Sequence, residues 1–246
     1  MTALTTACGA RFRRVAASPE RGMSLTELLV ASIVLMIVLT VTANLFINAT
    51  KSMGMASAVN ANTANASTGM NEATRVIRGG TSNPVQAQLL DNPAFIEARP
   101  ESVILYSLVG GDRNDPHPVM IRLSLNAQRQ LVEERWTATV VAGYSTFTSP
   151  YVGASGYVAP QTTRILTTTV SPHTGTAAYL FTYYSDVPGT VPLATAGTDV
   201  PAASLAAIVT VRVSLTVQKS LTDSNLPVTL ENLVGIPNLN ASATIS

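Results

Sequence analysis

His117 and His173 are the only histidines in this 246-residue chain, and Cys8 is its only cysteine. A transition-metal site needs three or four such ligands at workable spacing, and here the histidines sit in loop-like sequence with neither a His-x-x-x-His nor a cysteine partner. Asp112, Asn114 and Asp115 offer oxygens for calcium. Their stretch lacks the full D-x-[DN]-x-[DN]-G pattern and its distal glutamate, so it reads as a solvated hairpin loop. Among the serines, Gly153-Ala154-Ser155-Gly156 comes nearest to a nucleophile elbow, at the wrong spacing. Glu133 and Glu134 are neighbours, so on a strand they point to opposite faces and do not form an acid–base pair. Neither a P-loop nor a dinucleotide fingerprint occurs. This inventory predicts no enzyme, no metal and no cofactor. One carboxylate remains conspicuous by its position. Glu27, in R-G-M-S-L-T-E-L-L from Arg21 to Leu29, stands at the lip of an uncharged run that continues to Thr50.

Leu28 to Ile47 supplies 20 consecutive, mostly apolar residues, which as a helix rise about 1.5 Å each to roughly 30 Å, the thickness of a bilayer's hydrocarbon. Arg11, Arg13, Arg14 and Arg21 precede this run with only Glu20 against them, which predicts a cytoplasmic N-terminus and an external C-terminus. Beyond Gly22 the chain keeps 11 basic and 13 acidic side chains and offers nucleic acid no general attraction. Three kinds of export segment compete. A cleaved secretory signal needs a shorter apolar core, and Ala56-Ser57-Ala58 is too distant a cleavage site. A plain uncleaved anchor is physically acceptable. It leaves Glu27 without a purpose beyond complementing the helix dipole, a contribution of about 0.3–1 kcal/mol.

The third kind rests on the residues at the junction. A basic leader, Gly22, the apolar Met23, then Ser24-Leu25-Thr26-Glu27-Leu28-Leu29 and a long apolar helix resemble the N-terminal signal of type IV pilins and pseudopilins. The resemblance implies cleavage between Gly22 and Met23 by a prepilin peptidase and N-methylation of Met23, with Glu27 as the fifth mature residue. Met23 stands where phenylalanine is more common in that family. The resemblance further implies that Glu27 pairs with the N-terminal amine of a neighbouring subunit. Other pilin or pseudopilin subunits, an inner-membrane assembly platform and, before assembly, membrane lipid are the implied partners. The implied location is a single-pass membrane protein that passes into a cell-surface or periplasmic filament.

Downstream, helical spacing persists through Met53, Ala56 and Val59 and then Met70, Ala73 and Ile77, with Gly54 and Gly69 inside the pattern. Arg78-Gly79-Gly80 followed by Pro84 predicts the stop, so one helix from about Met23 to Arg78 is expected. Strands are expected at Ser102 to Val109, Pro118 to Leu125 and Gln130 to Thr137 as a three-stranded meander, then at T-R-I-L-T-T-T-V, A-Y-L-F-T-Y-Y and A-I-V-T-V-R-V-S-L-T-V-Q-K. In the last, Val209, Val211, Val213, Leu215 and Val217 should face a core, with Thr210, Arg212, Ser214 and Thr216 facing water. The stretches 142–160 and 187–203 read as loops, the first with Tyr144, Phe147, Tyr151 and Tyr157 packing on its own domain. The expected class is α+β: a long N-terminal helix, membrane-spanning in its first half, packed on a mainly antiparallel β-sheet globular domain. Its segments are a leader at 1–22, a transmembrane or filament-core helix at 23–50, an extracytoplasmic half-helix at 51–80 and a β-rich domain at 81–246. This order of elements also resembles the W-type minor pilins and the J-type pseudopilin of type II secretion, which implies a place near a filament tip.

Overall fold

The computed structural model describes residues 22–86, 90–110, 117–175, 178–220 and 226–240. The basic leader with Cys8, and the Asp112, Asn114 and Asp115 loop, lie outside the described residues. A single helix, α1, runs from Leu25 to Arg78, in good agreement with the periodicity. Its first half is rich in Val and Ile, which are modest helix formers in water. In apolar surroundings only a structure that pairs all its backbone groups internally is stable, and the helix does so. Contact density divides the chain into two compact units, the first ending at Ser52 and the second starting at Met53.

In the second unit α1 buries one face: Asn62, Ala66, Gly69, Met70, Ala73, Val76 and Ile77. The predicted stripe is therefore right at Met70, Ala73 and Ile77. It fails earlier, where Met53 is 72% exposed and Ala56 is exposed, because the apolar cluster under α1 engages the helix only from Ala66 onward. Helix and sheets share that cluster, in which Ala66, Met70, Ala73, Val76 and Ile77 meet Phe95, Leu105, Ile121, Leu123, Val213 and Leu215. The α+β class holds.

The strands are β1 (Phe95–Ala98), β2 (Ser102–Ser107), β3 (Val119–Leu125), β4 (Leu131–Trp136), β5 (Thr139–Val141), β6 (Tyr144–Thr146), β7 (Thr162–Thr167), β8 (Phe181–Tyr184), β9 (Thr210–Val217) and β10 (Val228–Gly235). Among the described residues they form three antiparallel sheets, in the orders β1-β2-β3-β4-β7, β10-β9-β8 and β5-β6. The meander β2-β3-β4 is as expected, with Leu105 opposite Ile121 and Leu123 opposite Glu133. The segment after β7 links the two larger sheets. Ser171 donates its backbone N–H to Thr216 (2.8 Å) and Gln218 donates to Thr169 (3.1 Å).

Four expectations need correction. β1 and β10 add strands that the sequence did not announce, and the β5–β6 hairpin takes the start of the 142–160 stretch out of the loop class. The outer face of β9 is not uniformly wet, since Thr210 and Ser214 are buried. Lastly, the helix does end at Arg78, yet neither Gly79 nor Gly80 adopts the left-handed conformation of a C-terminal cap. Gly79 is there for space. A Cβ on it would strike Val109 and the Ser107 hydroxyl, which donates to the Val76 carbonyl at 2.9 Å and satisfies the last turn.

The two helical glycines differ in the same way. A Cβ on Gly69 would lie 2.9 Å from Thr167 Cγ2 and 3.1 Å from Leu215 Cδ2, whereas Gly54 has open space around it. Gly54→Ala is expected to gain up to about 1 kcal/mol from helix propensity. Gly69→Ala gains the same and loses more, since overpacking a stiff β-branched neighbour costs about 1–3 kcal/mol, so its net effect is a loss of roughly 1 kcal/mol. Thermal unfolding of the two variants in detergent should move their midpoints in opposite directions.

Candidate functional site

Ser24 sets where the helix begins. Its carbonyl accepts from the N–H groups of Glu27 (3.0 Å) and Leu28 (3.1 Å), and its hydroxyl accepts from Glu27 N–H at 3.2 Å. That is N-cap geometry, with Glu27 three residues on, the spacing of a capping box. Gly22 and Met23 consequently lie just ahead of the first turn, outside regular structure and exposed. The bond between them is open to an enzyme, and the helix starts two residues later. Glu27 is the acidic residue of the first turn, and its carboxylate meets no cation or hydrogen-bond donor among the described residues.

From Leu28 onward the helix is apolar on every side. Fourteen large apolar side chains between Leu28 and Ile47 are exposed, Met36 and Phe46 at 70% and 73%. At about 1.5–3 kcal/mol each, they leave roughly 20–40 kcal/mol of burial unrealised, far beyond what water tolerates. The helix is long and apolar enough to cross a membrane. Its hydroxyls fit the same environment. Ser32 donates to Leu29, Thr40 to Met36, Thr42 to Val38 and Thr50 to Phe46, each carbonyl 2.8–2.9 Å away on the preceding turn, so none needs water. A helix apolar all round belongs in lipid or in the middle of a bundle.

Set against family models, curated proteins and solved structures, the chain finds no match. The functional reading thus rests on its own residues.

The other candidates disperse. His117 Nδ1 lies 2.9 Å from Ser145 Oγ, and His173 stacks on Tyr179 with ring centroids 3.8 Å apart. Glu133 and Glu134 do point to opposite faces. Glu134 pairs with Arg122 (3.1 Å) on the outer face, while Glu133 is fully buried beneath α1 between Arg135 and Arg164. The 142–160 aromatics pack partly on their own domain: Phe147 meets Tyr106 at 5.0 Å, and Tyr151 lies 5.9 Å from the Arg122 guanidinium. Trp136 donates its indole N–H to Val158 (2.8 Å) and Arg122 donates to Pro150 (2.8 Å), fastening the loop to β3 and β4.

Sequence reasoning missed the ionic group around Glu133. Arg164 on β7 reaches Glu133 at 2.8 Å and Glu72 of α1 at 2.9 Å, and Arg75 holds Glu72 from the other side at 2.8 Å. Burial by itself would raise the Glu72 pKa, but hydrogen bonds from Arg75 and Arg164 outweigh it and hold the carboxyl below its ordinary value. The Arg164 guanidinium is held more firmly protonated, chiefly by its bond to Glu133. The group couples helix to sheet. Its carboxylates and guanidiniums are engaged with one another, which gives it a structural role.

Proposed function

We propose that the chain is a minor pilin or pseudopilin, a structural subunit released from its leader between Gly22 and Met23, methylated at Met23 and assembled into a type IV pilus or type II secretion-like filament near its tip. The observation that carries this reading is Glu27. It is a carboxylate with no partner among the described residues, five residues past an exposed Gly22–Met23 bond, heading a helix whose entire circumference needs apolar cover. In this reading the N-terminus starts in the cytoplasm and the domain after Lys51 lies outside. The helix first rests in lipid and then leaves it for a bundle of like helices. Prepilin peptidase, the other subunits and the inner-membrane assembly platform are its partners.

The Ser24 cap favours a second reading, an uncleaved signal anchor carrying an extracellular binding or adhesion domain, in which Glu27 merely complements the helix dipole. Mass spectrometry of the chain purified from its own host's membranes separates the two. A polypeptide beginning at N-methylated Met23 is expected. An intact leader, or a start at Val59, would sink the filament reading.

A further inference from the structure

The outer face of β9 is roofed toward its C-terminal end. Ser214 and Gln218 are only 6% and 3% exposed, covered by residues 170–174 with Ala178 and Leu180. Ser214 donates its backbone N–H to Leu180 at 2.9 Å, which helps fix that cover. Between roof and strand lies a cavity of about 300 Å³ that also reaches Glu101, Arg129 and Thr229.

Most polar groups of the cavity are already spent. The Arg129 guanidinium donates to Glu101 (2.7 Å), to the Ser171 carbonyl (2.9 Å) and to the Val170 carbonyl (3.3 Å). Thr216 and Thr229, directly opposite in the β9–β10 register, share a hydrogen bond of 2.9 Å, and Ser214 donates to Glu231 at 3.1 Å. Two groups are not spent. Gln218 Nε2 and His173 Nδ1 are buried without a hydrogen-bond partner. An unmade hydrogen bond on a buried group costs about 1–3 kcal/mol. Water or a ligand that enters the cavity must therefore meet both groups.

We infer that this cavity binds a neutral, hydroxyl-rich ligand the size of one sugar residue. Among the described residues an anion finds no uncommitted arginine or lysine there, because Arg129 is already bonded, and the Glu101 carboxylate repels it. A cation finds only Glu101, which Arg129 already neutralises. A hydrocarbon would leave Gln218 and His173 unpaired. Hydroxyl groups both donate and accept, so they can accept from the Gln218 amide, serve His173 in either tautomer and donate to the Glu101 carboxylate. The volume stands at the small end of ligand pockets, which limits the occupant to a single ring. The 142–160 and 187–203 loops contribute no lining residue. The inference is independent of the filament reading, and either can fail alone.

Saturation-transfer NMR tests it on the full chain in a zwitterionic detergent without a sugar headgroup. Glucose, galactose, mannose and N-acetylglucosamine are presented at millimolar concentration, each free and as its methyl glycoside. At least one is expected to bind, with Gln218→Leu and His173→Phe each weakening it tenfold or more, since each removes one of the two unspent groups. Equal binding of the methyl glycoside assigns the terminal residue of a glycan; loss of it assigns a free sugar. Gln218→Leu should keep or raise the unfolding midpoint, since it replaces an unpaired buried amide. If that variant fails to fold, His173→Phe, which keeps a ring to stack on Tyr179, decides. Silence from the whole panel, wild-type affinity in the folded variants, or binding of inorganic phosphate in place of a sugar would overturn the assignment.

Discussion

Glu27→Ala is expected to leave the Gly22–Met23 bond cleaved and to remove the chain from filaments. The two effects separate because cleavage reads the exposed junction ahead of Ser24, while assembly must deal with the carboxylate itself. That carboxylate has no partner among the described residues, and the side chains that follow it are apolar on every face. A charge in such surroundings costs about 2.5–3.5 kcal/mol at the centre of a membrane helix and less near the interface. If a neighbouring subunit's amine supplies the counter-charge in a low-dielectric bundle, removing the carboxylate strands that amine. Breaking a buried pair costs about 3–5 kcal/mol, and even 3 kcal/mol is roughly a hundredfold in incorporation. Were Glu27 only a first-turn acid, its removal would cost about 0.3–1 kcal/mol, at most about fivefold. Immunoblots of sheared filaments against the membrane fraction distinguish the two magnitudes, and near-normal incorporation would reject the pairing role.

What the sequence revealed and what it hid follow from how far apart the determinants lie. α1 was legible because its signals are local: an apolar run, no proline between Pro19 and Pro84 and a glycine pair at the end. The meander was legible for the same reason, since β3 alternates and turn-forming residues bound it, G-G-D-R-N-D-P-H-P before and N-A-Q-R after. β10 was not. Its V-T-L-E-N-L-V-G alternates weakly and carries Glu231 and Asn232, and it becomes a strand through eight pairings with β9 from Val228 opposite Val217 to Gly235 opposite Thr210. Burial of Ser214 and Gln218 was hidden too, because the cover comes from residues 170–174, Ala178 and Leu180, some 40 positions earlier. At the candidate site, Gly22, Met23 and Glu27 could be picked out from their order alone. The Ser24 cap is legible by the same kind of rule, since Ser24-x-x-Glu27 has the spacing of a capping box.

Glu133 illustrates the remaining gap, and its removal should have the largest effect on the folded domain. Strand alternation places it on the same face of β4 as Leu131, the face that lies under α1, and there it is completely buried. The sequence cannot say why a core position is charged. The answer lies 31 residues ahead in Arg164 and 61 residues back in Glu72, which the fold brings together. With Glu133→Ala, Arg135 and Arg164 lose the buried anion they share; Arg164 keeps Glu72 at 2.9 Å, while Arg135, 19% exposed, is left beside it without a carboxylate. Removing one partner of such a buried group costs about 3–5 kcal/mol, a drop of roughly 10 °C in the unfolding midpoint for a domain of this size. A loss below about 1 kcal/mol would mean that water reaches the site. Arg164→Met cuts the link to Glu72 and supplies an acid signature. Because the folded Glu72 pKa is depressed, its contribution is present above the unfolded value of 4.5 and fades as pH falls through the folded one. Urea midpoints measured from pH 6 downward should therefore fall less steeply below 4.5 in Arg164→Met than in the wild type. Equal slopes would show that Arg75 alone sets the state of Glu72, leaving Arg164 to act through Glu133.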